Sequence, residues 1–355
     1  MINRRKSKTV KIRNIEIGGA NPLAIQSMTN VSSRDEKALL NQIQELEEAG
    51  CEIIRIAIPD IESAETLASV RKKTDMPLVA DIHFDYRLAI EAIKSGADKI
   101  RINPGNIGSK DRVEAVVKEA KAAGIPIRVG VNSGSLEKDI LEKNRGVTAE
   151  GLAESALRNL AIIEDMGYDN LVCSIKSSDV SMNYDAHIIL GERTIHPIHI
   201  GITEAGTIRR GKVKSAIGIG GLILAGIGDT LRVSLTANPV EEVVFAKEIL
   251  ESLGLMEPKY NLVSCPTCGR TEVDLQSLAE EVDQRLMNIN LRQGIKIAVM
   301  GCVVNGPGEA MEADYGIAGG KGKGVIIAKG EIVKTVPEEE LVDQLIDIIQ
   351  KEESK

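Results

Sequence analysis

The feature that most limits the fold of this chain is one short unit that recurs along residues 23–253. In each unit an apolar run with one or two polar residues leads through a turn into an amphipathic helix pattern, which a glycine often ends. Eight apolar runs lie at residues 23–28, 53–58, 78–82, 99–103, 127–132, 171–176, 198–203 and 231–236. Strands that alternate with helices pair in parallel, which predicts an α/β fold with a (β/α)8 TIM barrel. An open, doubly wound sheet is the alternative, because helices with a single apolar face fit both.

Amphipathic helix patterns follow these runs at regular intervals. The first pattern begins at Ser33-Arg34-Asp35-Glu36, which has the residues of a capping box, and Gly50 can take the left-handed position after its last turn. Further helices are predicted at residues 63–73, 86–95, 110–123, 148–166, 211–225 and 240–253.

The pattern changes after residue 255, which predicts a barrel domain at residues 1–255 and a smaller α/β domain at residues 256–355. In the second domain we expect a cysteine loop, a helix near 275–286, a strand at 295–300, two short strands near 315–318 and 325–328, and a last helix at 338–350. The glycine-rich stretch at 319–324 lacks the spacing of a phosphate-binding loop, so we expect a hairpin loop there.

Charged side chains within the predicted strands fall on one face of each strand. Because side chains alternate along a strand, Arg55 lies on the face opposite Ile54 and Ile56. The same alternation groups Asp81 with His83, Arg101 with Asn103, Arg128 with Asn132, Lys176 with Ser174, and Arg232 with Ser234. Cations that turn into a barrel repel each other and lose hydration, and an anion with several charges offsets both costs. The pattern therefore favours a phosphorylated ligand; the alternative is that each cation pairs with a nearby carboxylate.

Three further side chains lie near the seventh predicted strand. Glu204 follows this strand, at the mouth of the barrel where catalytic residues lie, and its carboxylate can donate or accept a proton. The alternative places Glu204 in the first turn of a helix, where it faces the helix dipole. For His196 and His199 we predict buried core positions.

Three of the five cysteines lie close to one another in the second domain. Cys265-Pro266-Thr267-Cys268 forms a tight loop, and Cys302 follows a predicted strand. Three thiolates leave one iron of a cubane cluster without a sulfur ligand. Half of a zinc site and a redox dithiol are the alternatives, although no histidine follows His199 to complete a zinc set. The remaining two, Cys51 and Cys173, fall at or within strands and are predicted to be buried.

Composition excludes several classes of protein. The net charge is −8 and the chain has two Phe, five Tyr and no Trp, which argues against binding nucleic acid. Clustered cysteines in odd number do not suggest a secreted disulfide framework. We find no signal-peptide pattern, and the longest uncharged run, residues 216–228, is too short to span a membrane. We therefore expect a cytoplasmic protein whose basic start at residues 4–8 is a solvated tail.

Longer motifs make the chain similar to a known family. They are Ile25-Gln26-Ser27-Met28-Thr29-Asn30, Asp81-Ile82-His83-Phe84-Asp85-Tyr86-Arg87, Arg101-Ile102-Asn103-Pro104-Gly105-Asn106, Gly201-Ile202-Thr203-Glu204-Ala205-Gly206, Gly228-Asp229-Thr230-Leu231-Arg232-Val233-Ser234 and Gly301-Cys302-Val303-Val304-Asn305-Gly306-Pro307-Gly308-Glu309. Nearly end to end, the chain resembles the bacterial 4-hydroxy-3-methylbut-2-enyl diphosphate synthases, iron–sulfur enzymes of the methylerythritol phosphate pathway of isoprenoid biosynthesis.

The resemblance implies a TIM barrel that binds substrate and a C-terminal domain, similar to those of nitrite and sulfite reductases, that carries a 4Fe-4S cluster. Cys265, Cys268 and Cys302 would bind three irons, and Glu309 would hold the fourth through its carboxylate. A weak oxygen ligand can yield to substrate, so this apical iron would be the reaction site.

The reaction implied is the two-electron reductive ring opening and dehydration of 2-C-methyl-D-erythritol 2,4-cyclodiphosphate to (E)-4-hydroxy-3-methylbut-2-enyl diphosphate. Glu204 and Asn305 would assist positioning and protonation. The residues implied in substrate binding are Arg55, Asp81, His83, Arg101, Asn103, Arg128, Asn132, Lys176, Arg232 and Ser234. The implied partners are ferredoxin or flavodoxin as the electron donor, and a second subunit whose cluster domain covers the barrel of the first.

Two other functions fit parts of the sequence. A phosphosugar aldolase or isomerase barrel with a small structural zinc domain would use Lys176 to form a Schiff base, and it would be colourless. A non-catalytic zinc module that binds nucleic acid is the other, and the acidic charge and the few aromatic residues oppose it.

Overall fold

A computed structural model of the chain describes residues 2–302 and 306–353. These residues form two compact units, Met1–Leu255 and Met256–Lys355. None of the helices in the described part of the chain combines the length and apolar character needed to cross a membrane.

The first unit is a closed parallel barrel. Its strands are β1 (Val10–Ile12), β2 (Ile15–Ile17), β3 (Ala24–Met28), β4 (Ile53–Ala57), β5 (Leu78–Asp81), β6 (Lys99–Ile102), β7 (Ile127–Asn132), β8 (Leu171–Lys176), β9 (His199–Ile200) and β10 (Thr230–Leu231). Eight of them form one sheet in the order β8-β7-β6-β5-β4-β3-β10-β9. A parallel bridge between Cys173 and Ile198 joins its two ends. The predicted TIM barrel is confirmed, and the open doubly wound sheet is excluded.

The last two barrel strands are shorter than the sequence predicted. The predicted runs span six residues each, whereas β9 and β10 keep two residues each in the ladder. At Gly201 the backbone of the neighbouring strand approaches so closely that a Cβ atom would lie 2.6 Å from the carbonyl oxygen of Arg232. The apolar pattern of the sequence does not show where a close backbone contact of this kind ends the hydrogen-bonded ladder between two strands.

Helices surround this barrel. They are α1 (Glu36–Glu48), α2 (Ile61–Arg71), α3 (Tyr86–Lys94), α4 (Pro104–Ile107), α5 (Lys110–Ala123), α6 (Lys138–Asn144), α7 (Ala149–Glu164), α8 (Val180–Arg193), α9 (Ile208–Leu224) and α10 (Pro239–Ser252). Helix α8 was not predicted, because its buried side includes Asn183 and His187 and therefore lacks a continuous apolar stripe. The N-cap of α1 is Asp35, which accepts a hydrogen bond from the Ala38 amide, and not Ser33 as the capping box suggested.

A hairpin of β1 and β2 closes one end of the barrel. Val10, Ile12 and Ile17 of this hairpin are buried against an apolar layer from the starts of four barrel strands. That layer consists of Ala24, Ile53, Val79 and Val172. The end of the barrel opposite the candidate site is therefore apolar and filled.

The basic N-terminal segment is bound to the barrel, so the prediction of a solvated tail is wrong. Arg4 and Arg5 form ion pairs with Asp229 at 3.1 and 3.2 Å. Ser7 Oγ and the Ile198 amide donate to the same carboxylate, each at 2.8 Å. A carboxylate that is 2% exposed needs such partners, and three of the four, Arg4, Arg5 and Ser7, come from a segment more than two hundred residues away in sequence.

The second unit is a five-stranded mixed sheet. Its elements are β11 (Tyr260–Ser264), α11 (Leu275–Met287), β12 (Ile295–Met300), α12 (Gly306–Met311), β13 (Tyr315–Gly320), β14 (Lys323–Ala328), β15 (Glu331–Pro337), a 3-10 turn (Glu338–Glu340) and α13 (Leu341–Glu353). The strands follow the order β11-β12-β13-β14-β15, with the first three parallel and the last two pairs antiparallel.

The predicted hairpin is confirmed, but its loop is shorter than the predicted residues 319–324, because β13 and β14 pair up to Gly320 and Lys323 and leave only Lys321 and Gly322 in the turn. Strands β11 and β15 were not predicted. They are the two edges of the sheet, and they carry little apolar pattern because β15 is largely exposed and β11 is only partly buried.

Replacement of Asp229 by Ala should destabilise the first unit by roughly 3–5 kcal/mol, because it leaves Arg4 and Arg5 without their buried partner. Urea unfolding followed by circular dichroism measures this loss. The matched control is Asp75→Ala: this carboxylate is 97% exposed and pairs with Arg13, so its removal should leave the midpoint unchanged. Equal midpoints for the two variants would show that the ion pairs of Arg4 and Arg5 with Asp229 contribute nothing to stability.

Candidate functional site

A cavity of about 280 Å³ lies inside the barrel, where the strands end. Nine of the ten predicted substrate-binding side chains line it. They are Arg55, Asp81, His83, Arg101, Arg128, Asn132, Lys176, Arg232 and Ser234, and they are joined by Met28, Ser174 and Thr203. Parallel strands bring these residues together because their inward positions lie side by side: Arg101 pairs in register with Arg128, and Asn132 with Lys176.

Asp81 is the centre of the charged contacts in the cavity. Its carboxylate lies 3.4 Å from Arg101 Nη1, 3.8 Å from Arg55 Nε and 3.4 Å from His83 Nε2. Burial alone raises the pKa of this carboxyl, but Arg55, the hydrogen bond from His83 and the other arginines outweigh it and hold the pKa far below its usual range. Asp81 is therefore an anion that two guanidinium groups share.

Arg232 has a separate partner, Glu242, which comes from helix α10. Glu242 is 3% exposed and accepts hydrogen bonds from Arg232 Nε and Ser27 Oγ, both at 3.1 Å, and from the Leu235 amide at 3.0 Å. We did not predict this residue. Its signal in the sequence is a carboxylate on the buried face of α10, beside Val243 and Ala246.

Other cations in the cavity have no carboxylate partner. None of the ion pairs in the described part of the chain includes Arg128 or Lys176, which are 1% and 8% exposed. Arg128 Nε and Nη1 also lack hydrogen-bond partners there. Burial, reinforced by neighbouring cations, lowers the pKa of both residues well below normal, and it lowers the pKa of Arg55 to about 10. The cavity thus has more donors than acceptors.

Met28 was also missed by the sequence reasoning. Its Sδ lies 3.0 and 2.8 Å from Arg55 Nε and Nη2, and 3.6 Å from Arg232 Nη1. A thioether is a weak acceptor. It therefore holds two guanidinium groups in place while their donors remain available to a stronger acceptor.

Two predicted residues lie away from the cavity wall. Asn103 caps α4, where its Oδ1 accepts a hydrogen bond from the Gly105 amide at 3.1 Å. Glu204 is exposed in the loop between β9 and α9, with a φ of 52° that non-glycine residues rarely adopt. Because α9 begins at Ile208, Glu204 is not in the first turn of a helix, and that alternative is wrong.

The two histidines are buried core residues, as predicted. His196 Nε2 contacts Glu164 at 2.8 Å, and His199 Nδ1 contacts Thr230 Oγ1 at 2.9 Å. Burial, together with Arg128 and Lys176, lowers the pKa of His199 well below normal, so its imidazole is neutral.

The cysteines of the two units differ in their surroundings. Cys51 and Cys173 are buried in the barrel unit, as predicted, and burial raises the pKa of each thiol to about 12. In the second unit Cys268 is exposed, and hydrogen bonds from Arg270 and Thr271 lower the pKa of its thiol. Cys265 Sγ accepts a hydrogen bond from the Gly301 amide at 3.4 Å. Cys268 therefore ionises more readily than an ordinary thiol, and the thiolate is the form that binds metals.

The predicted metal ligands are not gathered into one group. Among the described residues, no three or more His, Cys, Asp or Glu side chains are placed to hold a metal ion. Cys302 is half-buried, and Glu309 is exposed on α12. The set of Cys265, Cys268, Cys302 and Glu309 therefore stays a prediction. The predicted catalytic residue Asn305 lies outside the described residues.

Solved structures resemble the barrel unit in fold alone. Dihydropteroate synthase from Yersinia pestis matches with a TM-score of 0.51 at 13% identity, over 70% of this chain and 99% of that one. The enzyme of the same name from Xanthomonas albilineans matches with a TM-score of 0.50 at 14% identity, over 70% of this chain and 98% of that one.

Curated relatives match over nearly the whole chain. A protein of Clostridium acetobutylicum, named 4-hydroxy-3-methylbut-2-en-1-yl diphosphate synthase (flavodoxin), is 55% identical over 97% of this chain and 98% of its own length. Proteins with the same name from Caldanaerobacter subterraneus and Bacillus cereus are 52% and 51% identical, each over 99% of this chain and over 99% and 95% of their own lengths.

Two family descriptions cover the chain in succession. Residues 7–247 match the GcpE TIM-barrel domain, and residues 261–351 match the GcpE protein C-terminal domain. Together with relatives that are more than half identical from end to end, these matches show that the chain belongs to the GcpE family of 4-hydroxy-3-methylbut-2-en-1-yl diphosphate synthases, oxidoreductases of isoprenoid biosynthesis.

Proposed function

We propose that this protein converts 2-C-methyl-D-erythritol 2,4-cyclodiphosphate to (E)-4-hydroxy-3-methylbut-2-enyl diphosphate. The observation that carries this proposal is the excess of cations over carboxylates in the barrel cavity. A cyclic diphosphate supplies acceptors for the unpaired donors of Arg128 and negative charge for Lys176, which has no ion-pair partner among the described residues. Product formation breaks a carbon–oxygen bond to phosphate and a carbon–hydroxyl bond. Two electrons enter, and a proton joins the departing hydroxide to form water.

The barrel residues would bind and orient the diphosphate. Arg55, Arg101 and Arg232 have forked donors that match phosphate oxygens, and Lys176 adds a point charge. Met28 leaves the donors of Arg55 and Arg232 available. Because the cavity is enclosed by the barrel, these charges act in a medium of low dielectric constant, where they bind an anion more strongly than in water.

Glu204 is the proposed proton donor or acceptor at the mouth of the barrel. Its left-handed backbone conformation is a local strain, of the kind that persists where side-chain placement matters for function. Asn305 is proposed to assist beside the cluster, as the sequence motif implies.

Cys265, Cys268, Cys302 and Glu309 are the proposed ligands of a 4Fe-4S cluster in the C-terminal unit. When bound, the cluster would supply the two electrons to the substrate. The hydrogen bonds to Cys265 and Cys268 suit thiolate ligands, because N–H donors stabilise the negative charge on sulfur. Glu309 is exposed on a short helix, where its carboxylate is accessible.

The partners remain part of the proposal. The names of the relatives specify flavodoxin, and we propose a flavodoxin-type electron donor, with ferredoxin as the other candidate. We also propose a cytoplasmic homodimer in which the cluster domain of one subunit covers the barrel of the other.

Substitution of Lys176 by Met tests the oxyanion site. Inorganic pyrophosphate should raise the melting temperature of the wild-type protein, and this shift should shrink strongly in Lys176→Met, because one charged hydrogen bond to phosphate contributes roughly 1.5–3 kcal/mol. Differential scanning calorimetry at several pyrophosphate concentrations gives the comparison. Lys143→Met, which removes a surface lysine paired with Glu154, should keep the full shift. A full shift in Lys176→Met would remove this residue from the site.

Substitution of Cys302 by Ser tests the cluster. Anaerobically purified wild-type protein should be brown, with about four irons and four sulfides per chain. Cys302→Ser should lose the cluster, whereas Cys51→Ala, at a buried cysteine of the barrel unit, should keep it. Visible spectra with iron and sulfide analysis decide the matter. A colourless wild-type protein that holds zinc would contradict the proposal and favour the aldolase or isomerase alternative.

Substitution of Glu204 by Gln should leave the cluster spectrum unchanged and reduce turnover of the cyclodiphosphate, by roughly 10²–10⁴-fold if the carboxylate transfers a proton. The measurement is anaerobic turnover with dithionite as the reductant. Unchanged turnover would remove Glu204 from the mechanism.

A further inference from the structure

Lys99 is a buried cation that the proposed mechanism does not use. It is the first residue of β6, its side chain is fully buried, and it is not among the residues that line the cavity. Its Nζ has one hydrogen-bond partner, Gln26 Oε1, at 3.3 Å. A neutral amide oxygen is a weak partner for an ammonium group, and none of the ion pairs in the described residues includes Lys99.

The interior around Lys99 carries positive charge from several strands. Arg128 on β7 and Arg55 on β4 act electrostatically on Lys99, and Lys99 in turn acts on His199 of β9. The adjoining cavity also holds Asp81 on β5, Arg101 on β6, Lys176 on β8 and Arg232 after β10, and Glu242 from α10 contacts Arg232. Both carboxylates in this set are already paired, Asp81 with Arg55 and Arg101, and Glu242 with Arg232. On the closed side lie the apolar residues of the β1–β2 hairpin.

Hydrogen-bond donors in the same layer also lack acceptors. Gln26 Nε2 and Arg128 Nε and Nη1 have no partner within the part of the chain that the structure describes. A protonated Lys99 would add a further donor and charge to this layer. Burial, followed by the charges of Arg128 and Arg55, accordingly lowers the pKa of Lys99 well below its ordinary value.

Arg128 connects this layer to the cavity. It lines the cavity, and its charge also acts on Lys99 and His199. A bound diphosphate brings at least two negative charges to Arg128, and in a medium of low dielectric constant their effect extends past the first contact. A bound diphosphate therefore favours the charged form of Lys99.

We infer that Lys99 is an uncharged amine in the empty barrel and takes up a proton from solvent when a diphosphate binds in the cavity. The inference rests on the proposed function, since it requires that the cavity bind an oxyanion. The step is a protonation of the amine to the ammonium form and involves no electron transfer. Lys99 is a positioning residue, because it touches neither the cavity nor the substrate.

This proton uptake makes diphosphate affinity depend on pH in a defined direction. Between the low pKa of Lys99 in the empty barrel and its higher pKa in the complex, binding gains one proton. The affinity contributed by Lys99 therefore falls up to tenfold for each pH unit that the pH rises through this window. Above the window Lys99 is neutral in both states and contributes no pH dependence.

Isothermal titration calorimetry with inorganic pyrophosphate tests the inference on the full-length protein. Titrations near neutral pH in two buffers with different ionisation enthalpies give the number of protons taken up. Lys99→Met should take up about one proton fewer than the wild type, whereas Lys143→Met should match the wild type. Lys99→Arg, which keeps the charge permanently, should also lose that proton and should melt at a lower temperature without ligand.

The outcomes separate this inference from the proposed function. If pyrophosphate does not bind the wild-type protein, both are overturned. If it binds and Lys99→Met takes up the same number of protons as the wild type, only the role of Lys99 is overturned. If Lys99→Met does not fold, the proton count of Lys99→Arg gives the same decision.

Discussion

Positive charge held inside the barrel is the constraint on which the rest of this structure depends. Arg55, Arg101, Arg128 and Lys176 share the interior with a single lining carboxylate among the described residues, that of Asp81. Each of these cations has lost hydration and is repelled by the others, so the empty interior is less favourable than an apolar one. The other face of each strand is apolar, as at Ile54, and packs against the helices. Burial of these apolar side chains stabilises the barrel and offsets the unfavourable charged interior. A barrel that carries this cost has a cavity ready for an anion.

Several neighbouring residues reduce the repulsion between the buried cations, and they leave hydrogen-bond donors available to bind an anion. Asp81 is shared by two guanidinium groups, and Glu242 neutralises Arg232 from the helix side. Met28 occupies the space between Arg55 and Arg232 with a weak acceptor, where a carboxylate would have taken up their donors. At the opposite end the hairpin fills the barrel with apolar side chains. The charge is therefore concentrated at the open end, where barrels of this kind hold their ligands.

The direction in which a side chain points from a strand depends only on its position within that strand. For this reason much of the barrel interior could be predicted from the sequence. Alternation alone places Arg101 and Arg128 on the inward face, and the repeated units predict the strands that bring them together. Contacts between distant residues could not be predicted in this way. Glu242 meets Ser27 and Asp229 meets Ser7 across more than two hundred residues, and no local pattern encodes such pairs. Helix α8 was not predicted because its buried side includes the polar residues Asn183 and His187, so the sequence shows no continuous apolar face there.

The cysteines show how far a local pattern determines chemistry. Spacing predicts that Cys265 and Cys268 are neighbours, but their reactivity depends on the groups that the fold brings to them. The Gly301 amide reaches Cys265 from the end of β12, and Arg270 and Thr271 favour the thiolate of Cys268. Cys51 is of the same residue type and lies buried, with its thiol neutral. Thiolates placed together repel one another, and bonds to a metal supply the energy that gathers them. What the chain itself can provide in advance is a thiol that ionises readily, and the fold of the C-terminal unit provides one at Cys268.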